Sequence, residues 1–336
     1  MNYESFLEAL RGLAEETRLR LVALLAESEL SVTDMVEILG QSQPRLSRHL
    51  KLLCDAGLLE RAPEGVHVYF RLASSEAAGH LARSLLAFLD EDDPVRTLDR
   101  QRLAAIQRSR AVSAETYFQR HAAEWDAIRS LHIPEAEVER AIHKLLPRRK
   151  VGDLLDLGTG TGRMLQLCAP SADRAVGIDM SREMLAVARA NLDGAEYRHC
   201  ALRRAPAEKL PFANAGFDVV LSHMMLHFLP DPELAIREAA RVLRPRGRLI
   251  LVDFAPHDAT LLGPDHAHRW AGFSDETING WMEEAGLVAG RPVSLPAPSS
   301  LSQSALTVKL WRGERPEPVE PHVPAHRADP NLELFQ

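Results

Sequence analysis

The tightest constraint in this chain is a run of glycines at alternate positions, Asp156-Leu157-Gly158-Thr159-Gly160-Thr161-Gly162, closing the apolar segment DLLDLG. Removing three Cβ atoms lets the backbone turn sharply and approach a ligand at the N-terminus of the helix that follows. A dinucleotide fingerprint needs a glycine three residues after the second one, and Arg163 stands there, so the spacing disfavours a nicotinamide cofactor. The runs AVGID, FDVVLS and RLILVDF are β-rich, and Ser181–Asn191 and Pro232–Leu243 between them have helical spacing. Strands alternating with helices predict a parallel, doubly wound sheet. SALTVKLW near residue 308 reads as a late edge strand, with an antiparallel course open to it.

That sheet accounts for only part of 336 residues, and about 150 residues per domain predicts two. From Phe6 to Leu25 apolar residues recur at helical spacing, and Ser31 opens a short helix carrying Met35, Val36 and Leu39. A third helix starts at Ser42, tolerates Pro44 in its first turn and stops at Gly57. Leu46, Leu50 and Leu53 share one face of it, while Arg45, Ser47, Arg48, His49 and Lys51 point elsewhere. LLERAP, a turn at Glu64-Gly65 and VHVYFRL then read as a β-hairpin, completing a winged helix-turn-helix.

A helix over Glu76 to Leu89 and the acidic run Asp90 to Asp93 place the first boundary near residue 93. The expected division is 1–93 for DNA binding and dimerisation, 94–148 for a helical connector and cap, 149–312 for the α/β domain and 313–336 for a proline-rich disordered tail.

Charge narrows the partners. Lys+Arg 40 against Asp+Glu 47 gives −7, which excludes a diffuse polybasic grip, yet five Lys/Arg face three Asp/Glu between Arg45 and Arg71. Any DNA contact is therefore local. Three scattered cysteines (Cys54, Cys168, Cys200) support neither a disulfide framework nor a thiolate zinc cluster. The N-terminus alternates charges with leucines and reads as neither a signal peptide nor a membrane span, so a cytoplasmic protein is expected.

Two resemblances sharpen this reading. G-x-G-x-G with an acidic residue two positions earlier, and Asp179 ending AVGID, resemble class I S-adenosylmethionine-dependent methyltransferases. From about Tyr117 to Trp311, including AEKLPFANAGFDVVLSHMMLHFLPDPELAIREAARVLRPRGRLILVDF, the chain is similar to those related to the ubiquinone/menaquinone pathway enzymes. The resemblance implies a Rossmann-like fold holding S-adenosylmethionine, or its product S-adenosylhomocysteine, on Tyr117, Asp156, Gly158, Thr159, Gly160, Gly162, Asp179, Met180, Ala207, Glu208 and Ser222. Asp179 would take the ribose hydroxyls, and Tyr117 and Trp125 would belong to a helical cap, although both also suit ordinary helix packing. Ala205-Pro206 replaces the family's Gly-Asp, which leaves adenine to the backbone near Ala207 and Glu208, or binding weaker.

SVTDMVEILGQSQPRLSRHLKLLCDAGLLERAPEGVHVYFRL resembles the ArsR/SmtB-type regulators. This implies a homodimer on operator double-stranded DNA, with Gln43, Arg45, Ser47, Arg48 and His49 in the groove and Lys51, Arg61, His67 and Arg71 available to phosphate. The family's Cys-x-Cys metal pair is absent from Ser31-Val32-Thr33-Asp34, and His80 has no Asp-x-His partner. His257, His266 and His268 are too loosely placed to predict zinc, so no metal is expected.

Methyl transfer from a sulfonium needs a base only for a protonated nucleophile, because the leaving group is already good. Ser222, His223, His227, Asp253 and His257 fall at strand ends where open α/β sheets bind ligands, and His223 and His257 are the candidate catalytic pair. Ser222-His223-Met224-Met225 lacks the element of DNA amino-methylating enzymes, and too few thiols are present for arsenite chemistry. A small-molecule methyl acceptor on an ArsR-type regulator is the leading expectation. A catalytically inactive sensor of S-adenosylmethionine or S-adenosylhomocysteine that acts as a repressor is the alternative.

Overall fold

The apolar periodicities of the N-terminal segment fold into a helical unit with a small sheet. The structure, a computed structural model, describes residues 1–64, 67–73, 77–110, 112, 135–147, 150–257, 269–295 and 306–317. Helices α1 (Tyr3–Leu13), α2 (Glu16–Glu27), α3 (Val32–Leu39) and α4 (Gln43–Asp55) precede the hairpin of β2 (Leu59–Glu64) and β3 (His67–Leu72). The short strand β1 (Leu30–Ser31) adds to β3, with Leu30 opposite Phe70, giving the order β1-β3-β2. Ser31 caps α3 as its sequence predicts, and its hydroxyl and the Asp34 carboxylate form a capping box.

The Phe6–Leu25 periodicity hides a break. Glu15 is extended, its carboxylate accepts the Arg18 N–H at 2.9 Å, and the Arg18 guanidinium donates to the Gly12 and Arg11 carbonyls. One residue thus starts α2 while another closes α1, and the apolar pattern continues across both.

Beyond α5 (Ala77–Leu86), a helix α6 over 94–110 differs from the expected connector. It buries Leu103 and Ile106 in the same core as Leu21, Leu46 and Leu50. Arg20 pairs with Asp99 at 2.8 Å, Arg100 with Glu27 at 2.9 Å, and Arg102 donates to the Ile38 carbonyl. The proline and acidic run that look like a boundary are a bend, after which the chain returns to its first core.

The second unit begins with α7 (Glu135–Leu145) and is built on β4 (Val151–Leu157), β5 (Ala172–Asp179), β6 (Cys200–Arg204), β7 (Phe217–His223) and β8 (Leu243–Phe254), all parallel. Helices α8 (Arg163–Cys168), α9 (Arg182–Asn191), α10 (Pro232–Val242) and α11 (Asp275–Glu284) complete it, with strands β9 (Val288–Ala289), β10 (Val293–Leu295) and β11 (Val308–Glu314). The sheet order is β10-β11-β8-β7-β4-β5-β6. Successive strands step outward on one side of β4 and then on the other, so the order reverses between β4 and β7, and a crevice opens at their carboxyl ends.

Strand β11 is antiparallel but interior. It lies between β8 and β10, with Trp311 opposite Leu251 and Lys309 opposite Ser294. It also runs past the expected start of the tail at Gly313, and Arg315 donates to the carbonyls of Ala240, Arg241 and Leu243. Among the described residues no helix is long and apolar enough to cross a membrane.

The two units touch along β6 and α9. Arg189 donates to Glu29 at 3.2 Å and lies 3.5 Å above the Tyr69 ring, while Arg203 reaches Glu29 at 3.8 Å and Glu60 at 3.5 Å. Arg71 pairs with Glu60 at 2.6 Å in the same cluster.

Trp311 anchors the late strands, fully buried with its indole N–H donating to Asp275 at 2.8 Å. Trp311→Ala is expected to cost about 3–5 kcal/mol in urea unfolding. Trp311→Phe, which keeps most of the volume and loses the hydrogen bond, is expected to cost about 1 kcal/mol.

Candidate functional site

At the end of β4 the three loop glycines take φ values of +66°, +52° and +83°, a left-handed run closed to side chains without strain. Their surroundings differ. A Cβ on Gly158 would lie 2.2 Å from Met225 Cγ, so that position serves packing, whereas at Gly160 the nearest atom is the Gly158 carbonyl oxygen at 4.0 Å. The apex of the loop therefore opens on the crevice. Met225 reaches Gly158 because Met224, with φ +51°, turns the chain abruptly after β7.

Asp179 holds the loop. Its carboxylate accepts the Gly160 N–H at 2.9 Å and the Ser181 N–H at 2.8 Å, and Thr159 N–H donates to the Ile178 carbonyl at 2.8 Å. Both carboxylate oxygens retain lone pairs for further donors. Met180 stands half-exposed at the rim beside it. Across the adjoining loop Ala207 is buried and Glu208 half-buried, and Ala205 N–H donates to the Asp179 carbonyl.

Under the loop lies a set of buried polar atoms without a well-formed hydrogen bond: both carboxyl oxygens of Asp156, the Thr159 hydroxyl close to it and the Ser222 hydroxyl. Asp156 and Ser222 are each 1% exposed on the neighbouring strands β4 and β7, where Leu157 pairs with Ser222. Burial pushes Asp156 up to about 7, opposed by the Thr159 hydroxyl and reinforced by the negative charge of Asp179. Under-bonded polar atoms, an open loop apex and an acceptor carboxylate at the next strand end fit an adenosyl ligand carrying hydroxyl and ammonium donors. Tyr117 and Trp125 lie outside the described residues.

The histidines separate. His223 is half-buried at the end of β7. His257 follows β8, its Nδ1 3.1 Å from the Ala255 carbonyl and its Nε2 buried without a partner. Next to it the structure assembles a pair that spacing alone does not reveal. His227 Nδ1 lies 2.7 Å from Asp253 Oδ1, both side chains are buried, and the His227 N–H points at Asp253 Oδ2. The Phe254 ring packs against both His227 and His257. The residues were visible as separate strand-end candidates, but their contact depends on the turn after Met224. His266 and His268 lie outside the described residues, and among the described ones no His/Cys/Asp/Glu group could hold a metal.

On the N-terminal unit α4 exposes Gln43, Arg45, Ser47, Arg48 and Lys51 while burying Leu46, Leu50 and Leu53, and Arg61 is exposed on β2. Two expected DNA contacts face elsewhere. The Arg71 side chain is 7% exposed and committed to Glu60 at the contact between units, because strand alternation turns it away from solvent. His49 lies 3.6 Å from Glu15, its side chain turned toward the start of α2. The His67 side chain is outside the described residues.

Residues 155–251 match the family described as a methyltransferase domain, and residues 15–61 match the bacterial regulatory proteins of the arsR family. The chain thus joins an ArsR-family helix-turn-helix to a Rossmann-like methyltransferase domain. Among its relatives, an arsenite methyltransferase of Aquipseudomonas alcaligenes is 31% identical over 181 residues, 47% of this chain and 50% of that protein. A demethylmenaquinone methyltransferase of Thermus thermophilus is 40% identical over 124 residues, 35% of this chain and 52% of that protein. The crystal structure of YcgJ from Bacillus subtilis aligns with a TM-score of 0.47 at 21% identity, over 55% of this chain and 100% of that one. The chain spans between 41% and 64% of the length of these curated relatives.

The raised Asp156 makes a linkage test. A carboxyl that ionises near 4 when unfolded and near 7 when folded binds more protons in the folded state between those values, so it costs stability as pH rises from about 4 through 7. Asp156→Asn removes that cost. In the ligand-free chain the variant is expected to melt higher than wild type at pH 8 and to lose this advantage at pH 4, as read by thermal denaturation.

Proposed function

We propose that the chain is an ArsR-type transcription regulator whose C-terminal domain binds S-adenosylmethionine and methylates a small molecule. The observation that carries the reading is the Asp179 carboxylate closing the glycine loop beside the buried, under-bonded Asp156, Thr159 and Ser222. Asp179 would accept the ribose hydroxyls, the open apex at Gly160 would admit the ligand, and Asp156 and Ser222 would meet its polar end. The segment over Ala207 and Glu208 would border adenine. When bound, the cofactor supplies an electrophilic methyl group on a sulfonium.

For a protonated acceptor His257 is the better placed base. Its Nδ1 faces a carbonyl and carries the proton in the neutral ring, which leaves the lone pair on the buried, unpartnered Nε2. His223, at the end of β7, is the second candidate, and the His227–Asp253 pair fixes the backbone between them. Arsenite, named for one relative, suits this chain poorly. Burial pushes both Cys168 and Cys200 up to about 12, so neither supplies a thiolate, with a small opposing effect of Arg71 on Cys200.

DNA binding is assigned to Gln43, Arg45, Ser47 and Arg48 on the exposed face of α4, with Arg61 and Lys51 at its margin. Dimerisation is assigned to α1 and the turn just after α5, where Tyr3, Phe6, Leu7 and Phe88 expose apolar surface.

A sensor reading has an observation of its own. Helix α9 starts beside Asp179 and ends in the contacts of Arg189 with Glu29 and Tyr69, so one rigid element joins the crevice to the winged helix.

Calorimetry with S-adenosylhomocysteine is expected to show 1:1 binding that weakens roughly 10–100-fold in Asp179→Ala; no binding by the wild-type chain defeats the proposal. Arg45→Ala with Arg48→Ala is expected to weaken operator binding and flatten its salt dependence. If the domain turns over, His257→Ala lowers methyl transfer about 10²–10⁴-fold at unchanged S-adenosylhomocysteine affinity. If it only senses, the ligand shifts operator affinity without turnover.

A further inference from the structure

Between the two units lies a cavity of about 400 Å³, within the usual size range of small-molecule sites. Its lining comes from α2, β3, α5 and α6 of the first unit and from the end of α9, the segment after it and β6 of the second. Seven arginines line it against four carboxylates. Four of those arginines are engaged: Arg71 with Glu60, Arg100 with Glu27, Arg110 with Asp34 and Arg189 with Glu29.

The guanidinium groups of the other three have no carboxylate partner among the described residues. Arg83 donates to the Ala73 carbonyl, and Arg96 donates to the Leu89 and Asp90 carbonyls while its Nε is buried without a partner. The Arg198 side chain has no hydrogen bond or ion pair to a described residue and stands at the other wall. Burial, with the neighbouring Arg71 charge adding and Glu60 opposing, holds Arg83 below the usual arginine range. Ala23, Ala26, Leu86, Leu192 and Leu202 give the lining an apolar part, beside the polar Glu91, Asp193 and Tyr197.

We infer that this cavity is an effector site for a small organic anion, a carboxylate, phosphate or sulfonate on an apolar body, held by Arg83 and Arg96 from the first unit and Arg198 from the second. Guanidinium groups pair with such anions through charge-assisted hydrogen bonds, and the apolar wall takes the remainder of the ligand. The site is separate from the glycine-loop crevice: α9, ten residues long, runs between them and sets them about 15 Å apart. It goes beyond the proposed methyltransferase reading and does not depend on it. Because both units contribute cations, an occupant bridges the winged helix and the α/β domain.

The test uses the full chain and two fluorescent probes of one shape, 8-anilinonaphthalene-1-sulfonate and the uncharged N-phenyl-1-naphthylamine. Saturable binding of the sulfonate, at least tenfold tighter than the neutral probe and weakened by salt, is expected. Arg83→Ala and Arg198→Ala should each weaken it about tenfold; the melting temperature should be unchanged in Arg198→Ala, whose side chain holds no hydrogen bond or ion pair, and slightly lowered in Arg83→Ala, which loses its bond to the Ala73 carbonyl. S-adenosylhomocysteine at saturation should leave the sulfonate bound. Equal binding of the two probes, unaltered affinity in both variants, or complete displacement by S-adenosylhomocysteine would each overturn the assignment.

Discussion

One carboxylate keeps the crevice open. Asp179, at the end of β5, takes the Gly160 and Ser181 N–H groups, so a single side chain fixes both the left-handed glycine loop and the first turn of α9. Were the loop free to relax, Gly160 would lose its position at the apex, and the hydroxyl and carboxyl groups beneath it would have no approach from outside. The loop is short because Met225 fills the space at Gly158, and Met225 is there because Met224 accepts a backbone conformation rare for a side chain of its size. The polar floor and the strained turn belong to one arrangement.

The same helix carries the second dependency. Its C-terminal Arg189 is sandwiched between the Glu29 carboxylate and the Tyr69 ring, and Arg203 on the adjacent strand shares Glu29 and Glu60. Such largely buried guanidinium groups are costly to desolvate, and Glu29 and Glu60 each serve two of them, so the cluster tolerates little loss. A winged helix tied down in this manner moves with the β6 edge of the sheet and not on a flexible tether.

Much of this was legible from residue patterns, for identifiable reasons. The glycine spacing, Asp179 and the four long strands announce themselves because a buried parallel strand is almost wholly apolar and its loop almost wholly small. Strand β6 escaped because CALRR carries two arginines, one of which turns out to pair across the unit boundary. Strands β9 and β10 are too short for periodicity. Pro94 after four acidic residues signals a boundary locally, yet Leu103 and Ile106 return to the first core, a long-range fact that no local pattern contains. Arg71 looked like a phosphate contact because charge on a wing is normally solvated, and its true partner comes from a segment read separately. The His227–Asp253 contact was hidden in the same way, by a turn whose geometry is set at Met224.

Arg315 has a consequence for the path of the chain. Strand β11 runs against β8, so Glu314 comes opposite Arg248 near the amino end of that strand, where Arg315 seals three carbonyls and Glu317 pairs with Arg246. The crevice is at the other end of the sheet. The last described residues therefore sit on the pole away from the glycine loop, and a surface that captured the molecule there would leave the mouth of the crevice facing the solvent.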